Sequence, residues 1–174
     1  MAMPTVEVLH TERLTLRPFS PEDGPALLAL QGNPLVMRYY GNRQPLTAGQ
    51  AEIVLDAHVT CRWKSYWAWA VSLKTETACV GQVTALPVEW NAHQWIEMCW
   101  LLTPEMWGRG IGTEAVRAVL YHGRSALRWA QIMAGADADN AQSERIMIKN
   151  GMTFHGIEPD AHGRMRRIYT LLHG

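Results

Sequence analysis

The chain reads as a single-domain α/β protein of the mixed, α+β kind, and three observations carry that expectation. Period-two hydrophobic runs and helical runs follow one another in the order β-α-α-β-β-β-α-β-α-β-β. No repeat, low-complexity tract or Gly/Ser/Pro linker interrupts residues 1–174, so the whole length is assigned to one domain. With 48% of its residues hydrophobic, a chain this long buries roughly 70% of its unfolded surface and needs neither disulfide nor structural metal to fold.

The elements follow in order. Leu14 and Leu16 alternate with Thr15 and Arg17 as a first strand that Pro18 ends. Ser20-Pro21-Glu22-Asp23 then supplies an N-cap, a proline at the first helical position and an acid at the third, ahead of Ala26, Leu27, Leu28 and Leu30. Thr47 and Gln50 make a capping box for a second helix carrying Ile53, Ala57 and Cys61, with its end expected near Ser65. Trp67, Trp69, Val71 and Leu73 recur every second residue, and Val80–Leu86 and Trp95–Leu102 complete a meander. After Thr103-Pro104 and a glycine-dense turn, Ala115, Val116, Val119 and Leu120 line one face of a helix running to about Ser125. Ile132–Ala134 reads as a short buried strand and Ala141–Asn150 as a helix stopped by Gly151. Two last strands flank the turn Asp160–Gly163.

Composition excludes several function classes. Sixteen Lys and Arg balance sixteen Asp and Glu, and Arg164, Arg166 and Arg167 form the one short basic group, which argues against a nucleic-acid partner. The arginine group reads as the solvated face of an edge strand, with contact to an anionic ligand as the alternative. Cys61, Cys79 and Cys99 form no Cys-x-x-Cys pair and read as small buried residues in a reducing compartment. The longest strongly apolar stretch, Trp67–Leu73, is far short of the about 20 residues of a membrane helix, and Met1–Arg13 has no apolar leader core; a soluble, cytoplasmic protein with no membrane partner is expected. His58, His93, His122, His155 and His162 share no metal-ligand spacing, and Asp137–Asn140 lacks the glycine and distal glutamate of a calcium loop, so no metal is expected. Trp63, Trp67, Trp69, Trp90 and Trp95 either line a pocket or fill the core.

The chemically informative stretch is Trp107-Gly108-Arg109-Gly110-Ile111-Gly112-Thr113, between an expected strand and an expected helix. Glycines on alternate positions let backbone approach a ligand closely, and free N–H groups at a helix N-terminus suit a pyrophosphate. A turn without a ligand is the plain alternative. The spacing Gly-x-Gly-x-Gly fits neither a Walker loop nor the Gly-x-Gly-x-x-Gly dinucleotide fingerprint.

With these residues in view, the chain resembles the GNAT superfamily of N-acetyltransferases, whose acetyl-CoA loop has the pattern Gln/Arg-x-x-Gly-x-Gly/Ala. Trp107–Gly112 matches it, with Trp107 in the Gln/Arg place as in the Rim-type branch, the ribosomal-protein N-terminal acetyltransferases. Thr11-Glu12-Arg13-Leu14-Thr15-Leu16-Arg17-Pro18 is similar to that branch's opening strand, and Asn33-Pro34 to its first-helix exit. Ile96-Glu97-Met98 with Thr103-Pro104-Glu105 resembles its fourth strand, and Asn140, Ser143, Lys149 and Gly151 a further signature in which Met152 replaces phenylalanine. The similarity runs from about residue 9 to residue 172.

The resemblance implies a splayed, mostly antiparallel sheet flanked by helices, with acetyl-CoA as cosubstrate between the fourth and fifth expected strands. The backbone of Leu101 and Leu102 would pair with pantetheine amides. Gly108, Arg109, Gly110, Ile111, Gly112 and Thr113 would hold the pyrophosphate, and Asn140 would bond the pantetheine arm. The implied acceptor is a primary amine, either a peptide N-terminus or a small-molecule amine.

An amine attacks a thioester only when neutral. A lysine-like amine, of pKa about 10.4, is mostly protonated at neutral pH, and an α-amino group, about 7.7–8.0, is nearer readiness. A general base is therefore needed. Glu97 is the candidate, as the only carboxylate in the apolar run Trp95–Leu102, where burial would raise its pKa; the alternative puts it on a solvent face. The resemblance makes Ser143 the group that protonates the departing thiolate, against a simple helix-capping role. Two other readings stand beside the enzyme: a non-catalytic acetyl-CoA sensor, and a fold match whose glycines form only a turn. A homodimer through a strand edge or the Trp-rich region is compatible with the sequence.

Overall fold

The structure, a computed structural model, describes residues 6–60 and 66–172. Cys61, Trp63 and Ser65, the expected end of the second helix, lie outside the described residues. The strands are β1 (Leu9–His10), β2 (Leu14–Pro18), β3 (Trp67–Leu73), β4 (Cys79–Trp90), β5 (His93–Leu102), β6 (Gln131–Asp137), β7 (Thr153–Pro159) and β8 (Met165–Leu172). The helices are α1 (Gly24–Gln31), α2 (Pro34–Met37), α3 (Ala48–Val59), α4 (Ile111–Ser125) and α5 (Ala141–Lys149). The two-residue β1 and the four-residue α2 are additions to the expected order, both too short to leave a periodic signal.

All eight strands join one sheet in the order β1-β2-β3-β4-β5-β6-β8-β7. Every neighbouring pair is antiparallel except β5 and β6, which run parallel. That pair is also the shortest contact in the middle of the sheet: Ile96 faces Ile132, Glu97 faces Met133, and there the register ends. Beyond it the strands part. The sheet is thus a five-stranded half and a three-stranded half joined at a fork.

Alternation of side chains along each strand separates two faces. Leu14, Leu16, Trp69, Val71, Val83, Ala85, Met98 and Ile132 form one core with Ile111, Ala115, Val116, Val119 and Leu120 of α4, the helix face expected from the 3.6-residue period. On α5, Met147 packs with Ala134, Ala136 and Tyr169. The helices meet where Gly112 lies against Ile146, so close that a Cβ there would sit 2.7 Å from the isoleucine Cδ1. Asn150 Nδ2 also donates to the Thr113 carbonyl at 3.3 Å. This helix contact ties the two halves of the sheet together behind the fork.

The opposite face carries Ala68, Ala70 and Cys79 against Phe19, Leu27 and the α3 residues Val54, Leu55 and Val59. Two capping boxes start this layer, Ser20 with Asp23 and Thr47 with Gln50. A buried amide pair, Gln31 Nε2 to Gln82 Oε1 at 2.8 Å, pins the end of α1 to β4. Leu30, Val36 and Met37 then pack on Leu101, which lays α2 and Tyr40 over the end of β5.

The tryptophans sort mostly to the core. Trp69 is fully buried and donates to the Glu7 carbonyl at 2.9 Å, and Trp67 meets Trp129 edge-on. Trp90 and Trp95 meet edge-on at the β4–β5 hairpin end, where Trp90 donates to Glu158 at 2.7 Å. The arginine group is not on an edge strand: β8 lies between β6 and β7, Arg164 precedes it in the turn, and Arg166 and Arg167 pair with Glu97 and Glu144.

His58 of α3 stacks between Phe19 and Tyr66 at ring separations of 4.7 and 5.6 Å. Burial lowers its imidazole from the ordinary 6.5 to about 4. Between those values the unfolded chain takes up a proton that the folded chain refuses, so stability is fully present above about pH 6.5 and falls as pH drops toward 4, by up to about 3 kcal/mol from this one group. Urea unfolding at pH 7 and pH 4.5 will show a drop in unfolding free energy that is about 2 kcal/mol smaller in His58→Phe than in the unaltered chain.

Candidate functional site

Parting strands leave backbone hydrogen-bonding groups without a ladder partner, and such groups seek water or a ligand. Here the fork opens a cleft of about 670 Å³ whose walls include Glu97 to Leu102 of β5, Gly135 to Asp137 of β6, Asn140 to Ser143 at the start of α5, and Trp107. Tyr39 and Tyr40 after α2 close one side, and Asp160 to Arg164 of the β7–β8 turn the other.

Thr103 N–H donates to the Val80 carbonyl at 2.9 Å, so the alternation of an antiparallel ladder turns the N–H and C=O of Leu101 to β4 as well. Trp100 and Leu102 direct theirs to the cleft. Of the two residues expected to offer backbone to a ligand, Leu102 thus turns its N–H to the cleft side and Leu101 turns to β4, because neighbouring residues of one strand point opposite ways. The Leu102 carbonyl is moreover taken by Trp107, whose Nε1 donates to it at 2.9 Å. Trp107 thereby fastens the glycine turn to the end of β5, and its position in the motif carries that signal only in hindsight.

The turn ends in Gly110, the N-cap of α4, at φ +78°, with Gly108 at φ +72°. Both values lie where side chains with a Cβ are strained. The first helical bond runs from Glu114 N–H to the Gly110 carbonyl, so the N–H groups of Ile111, Gly112 and Thr113 have no helical acceptor. They present the positive end of a fifteen-residue helix.

Across the cleft, Asn140 caps α5 with its Oδ1 accepting from Ser143 N–H at 3.2 Å. Ser143 is therefore the capped residue and not the cap, and its side chain borders the cleft. Met147, one helical turn on, is fully buried.

Glu97 sits at the fork itself, its side chain 19% exposed, and receives 2.7 Å hydrogen bonding from Arg166 NH2. Its side chain turns to Arg166 and the cleft wall, not to open solvent. Arg166 also donates to the Gly135 carbonyl at 3.1 Å. Its guanidinium lies flat on Gly135, where a Cβ would come within 2.3 Å of NH2, so only glycine lets the arginine reach Glu97. Burial works against the Arg166 charge, but its partners, Glu97 first among them, outweigh that and hold the guanidinium above its ordinary range. The neighbouring arginines are also engaged: Arg164 with Asp160 at 2.7 Å and the Gly41 carbonyl at 2.6 Å, Arg167 with Glu144 at 2.9 Å. Arg43 pairs with Asp137, so two arginines hold the segment after α2 against the far wall.

Two partly buried groups beside Glu97 were not singled out by sequence as site residues. Burial pushes the Tyr40 phenol well above its usual range and the Cys99 thiol up to about 12, which keeps both protonated at neutral pH. Among the described residues no cluster of three or more His, Cys, Asp or Glu could hold a metal, and no helix is long and apolar enough to cross a membrane.

Comparison with known proteins agrees with this architecture. The family model for the acetyltransferase (GNAT) domain matches residues 13–153. The N-acetyltransferase YoaA of Bacillus subtilis (strain 168) is 27% identical over 151 residues, covering 86% of this chain and 85% of the relative. Among solved structures, a GNAT-family acetyltransferase from Bacillus anthracis superposes with a TM-score of 0.81 at 22% identity, over 95% of this chain and 98% of the other. RimL, a ribosomal α-N-protein acetyltransferase solved with coenzyme A, gives 0.80 at 15% identity over 95% and 98%. At such identities the structural likeness speaks for the fold; the family model, spanning most of the chain, speaks for the lineage. The chain belongs to the GNAT acetyltransferase family and is an N-acetyltransferase.

Proposed function

We propose that this protein moves the acetyl group of acetyl-CoA directly to a primary amine, with both substrates held together in the fork. The observation that carries the reading is the joining of three features: Glu97 where the strands part, the Leu102 N–H on the same cleft wall, and Trp107, which lines that cleft and leads into the unpartnered helix N-terminus at Ile111–Thr113. In this reading the N–H groups of Gly108 to Thr113 take the pyrophosphate. Leu102 N–H and the Asn140 side chain take the pantetheine arm.

The amine nitrogen forms its bond to the thioester carbonyl carbon as the C–S bond breaks. Glu97, directly or through one water, accepts the proton the nitrogen gives up. Arg166 holds one carboxylate oxygen and leaves the other for that proton. The Ser143 hydroxyl hydrogen-bonds the sulfur as it takes on charge. Cys99 lines the same cleft and is the side chain that would carry an acyl-enzyme, but a thiol held up to about 12 is a poor nucleophile at neutral pH, which favours direct transfer. The coenzyme A in the RimL structure and that protein's α-amino acceptor support a peptide N-terminus as acceptor here, with small-molecule amines the other class.

Calorimetry with acetyl-CoA, followed by thiol release against a panel of peptide, amino-acid, polyamine and aminoglycoside amines, tests the reading. Binding with acceptor-dependent release supports it, and absence of acetyl-CoA binding overturns it. Glu97→Gln is expected to lower kcat by about 100-fold or more at neutral pH while leaving the Kd for coenzyme A within twofold. Cys99→Ala is expected to keep kcat within about threefold and to show no acetylated protein by mass spectrometry after incubation with acetyl-CoA alone; a collapse of activity would point to an acyl-cysteine route.

A further inference from the structure

The opening motif Thr11-Glu12-Arg13 has no part in the reading above, yet it is bonded to the glycine turn. Glu114, in the first turn of α4, is the hub. Its Oε1 accepts from the Thr11 hydroxyl at 2.6 Å and from Arg13 N–H at 2.9 Å, and its Oε2 accepts from Arg13 Nε at 2.6 Å. Burial disfavours the Glu114 charge, but the bonds from Thr11 and Arg13 outweigh it and hold the carboxyl below its ordinary range. With Nε so fixed, Arg13 NH1 donates to the Arg109 carbonyl at 2.9 Å, and NH2 lies 3.4 Å from where a Cβ on Gly110 would stand.

The bond to Arg109 determines where the next N–H points. A trans peptide is planar, with its C=O and N–H on opposite sides. Drawing the Arg109 carbonyl to Arg13 therefore aims the Gly110 N–H away from Arg13, and it covers a carbonyl of the turn with a cationic donor. Gly110, at φ +78°, has the backbone freedom to turn either way, so the choice has to be imposed from outside the turn.

We propose that Arg13, held by Glu114 and Thr11, is a positioning residue for the diphosphate of the cosubstrate: it sets the Gly108–Gly110 turn in its anion-accepting orientation before the ligand arrives. The inference rests on the acetyl-CoA reading and extends it to residues about 100 positions away in sequence. It also separates two ligands. Coenzyme A carries the diphosphate, while S-acetylpantetheine has the same pantetheine arm without it.

The experiment measures the Kd of both by calorimetry on the unaltered chain, Arg13→Ala, Arg13→Lys and Glu114→Gln. Arg13→Ala is expected to weaken coenzyme A about tenfold and S-acetylpantetheine less than twofold. Arg13→Lys is expected to stay near the alanine value, because one ammonium lacks the fork that reaches Glu114 and the Arg109 carbonyl together. Glu114→Gln keeps the shape of the hub, provides the test if Arg13→Ala does not fold, and is expected to show the same selective loss. Equal weakening of both ligands, or no weakening, overturns the proposal. Recovery by lysine overturns it too, since plain charge attraction would then suffice. If the unaltered chain does not bind coenzyme A, the acetyl-CoA reading itself falls and this inference with it.

Discussion

The parallel contact between β5 and β6 lasts two residue pairs, and the rest of the molecule is arranged around that brevity. A sheet gains from pairing every strand along its length, so a mid-sheet fork persists only if other contacts hold the halves in place. Behind the fork those contacts are α4 against α5, through Gly112, Ile146 and Asn150. On the other face, the Gln31–Gln82 amide pair and the packing of α2 on Leu101 steady the wall that faces Arg164. The cleft is a defect in one layer made stable by the layers on each side.

Charge inside the cleft is organised in pairs. Glu97 with Arg166, Asp160 with Arg164 and Asp137 with Arg43 each bring a cation from one segment to an anion of the same or another. A partly buried carboxylate without its arginine would carry an uncompensated charge, which is the costly case, while the intact pair is close to neutral in energy. The pairs therefore fix geometry more than they add stability. Gly135 shows how closely this is fitted, since a single methyl would occupy the place of the guanidinium.

Local signals made most of the fold legible. The N-cap at Ser20, the capping box at Thr47, the 3.6-residue face of α4 and the period-two run from Trp67 to Leu73 each report on a few consecutive residues, and the structure forms each from those same residues. Non-local features were not legible. Period two says which side chains share a face, but not which strand lies alongside, so β8 read as an edge when it is enclosed by β6 and β7. The Glu97–Arg166 pair spans 69 positions and the Thr11–Glu114 bond 103, and no spacing rule links residues so far apart. Leu101 and Leu102 looked equivalent as a dipeptide because the side of the strand each serves is set by its pairing with β4.

The bond from Trp107 to the Leu102 carbonyl turns the free edge of β5 into a ruler with one end stopped. An extended chain laid along that edge can shift only by two residues at a time, about 7 Å, because intermediate registers meet groups facing the other way. The stop removes the outermost mark. In the proposed reading, an arm laid there would be read by length as well as by chemistry, since one bond more or less between the diphosphate and the thioester would bring the reacting carbon out of step with Glu97.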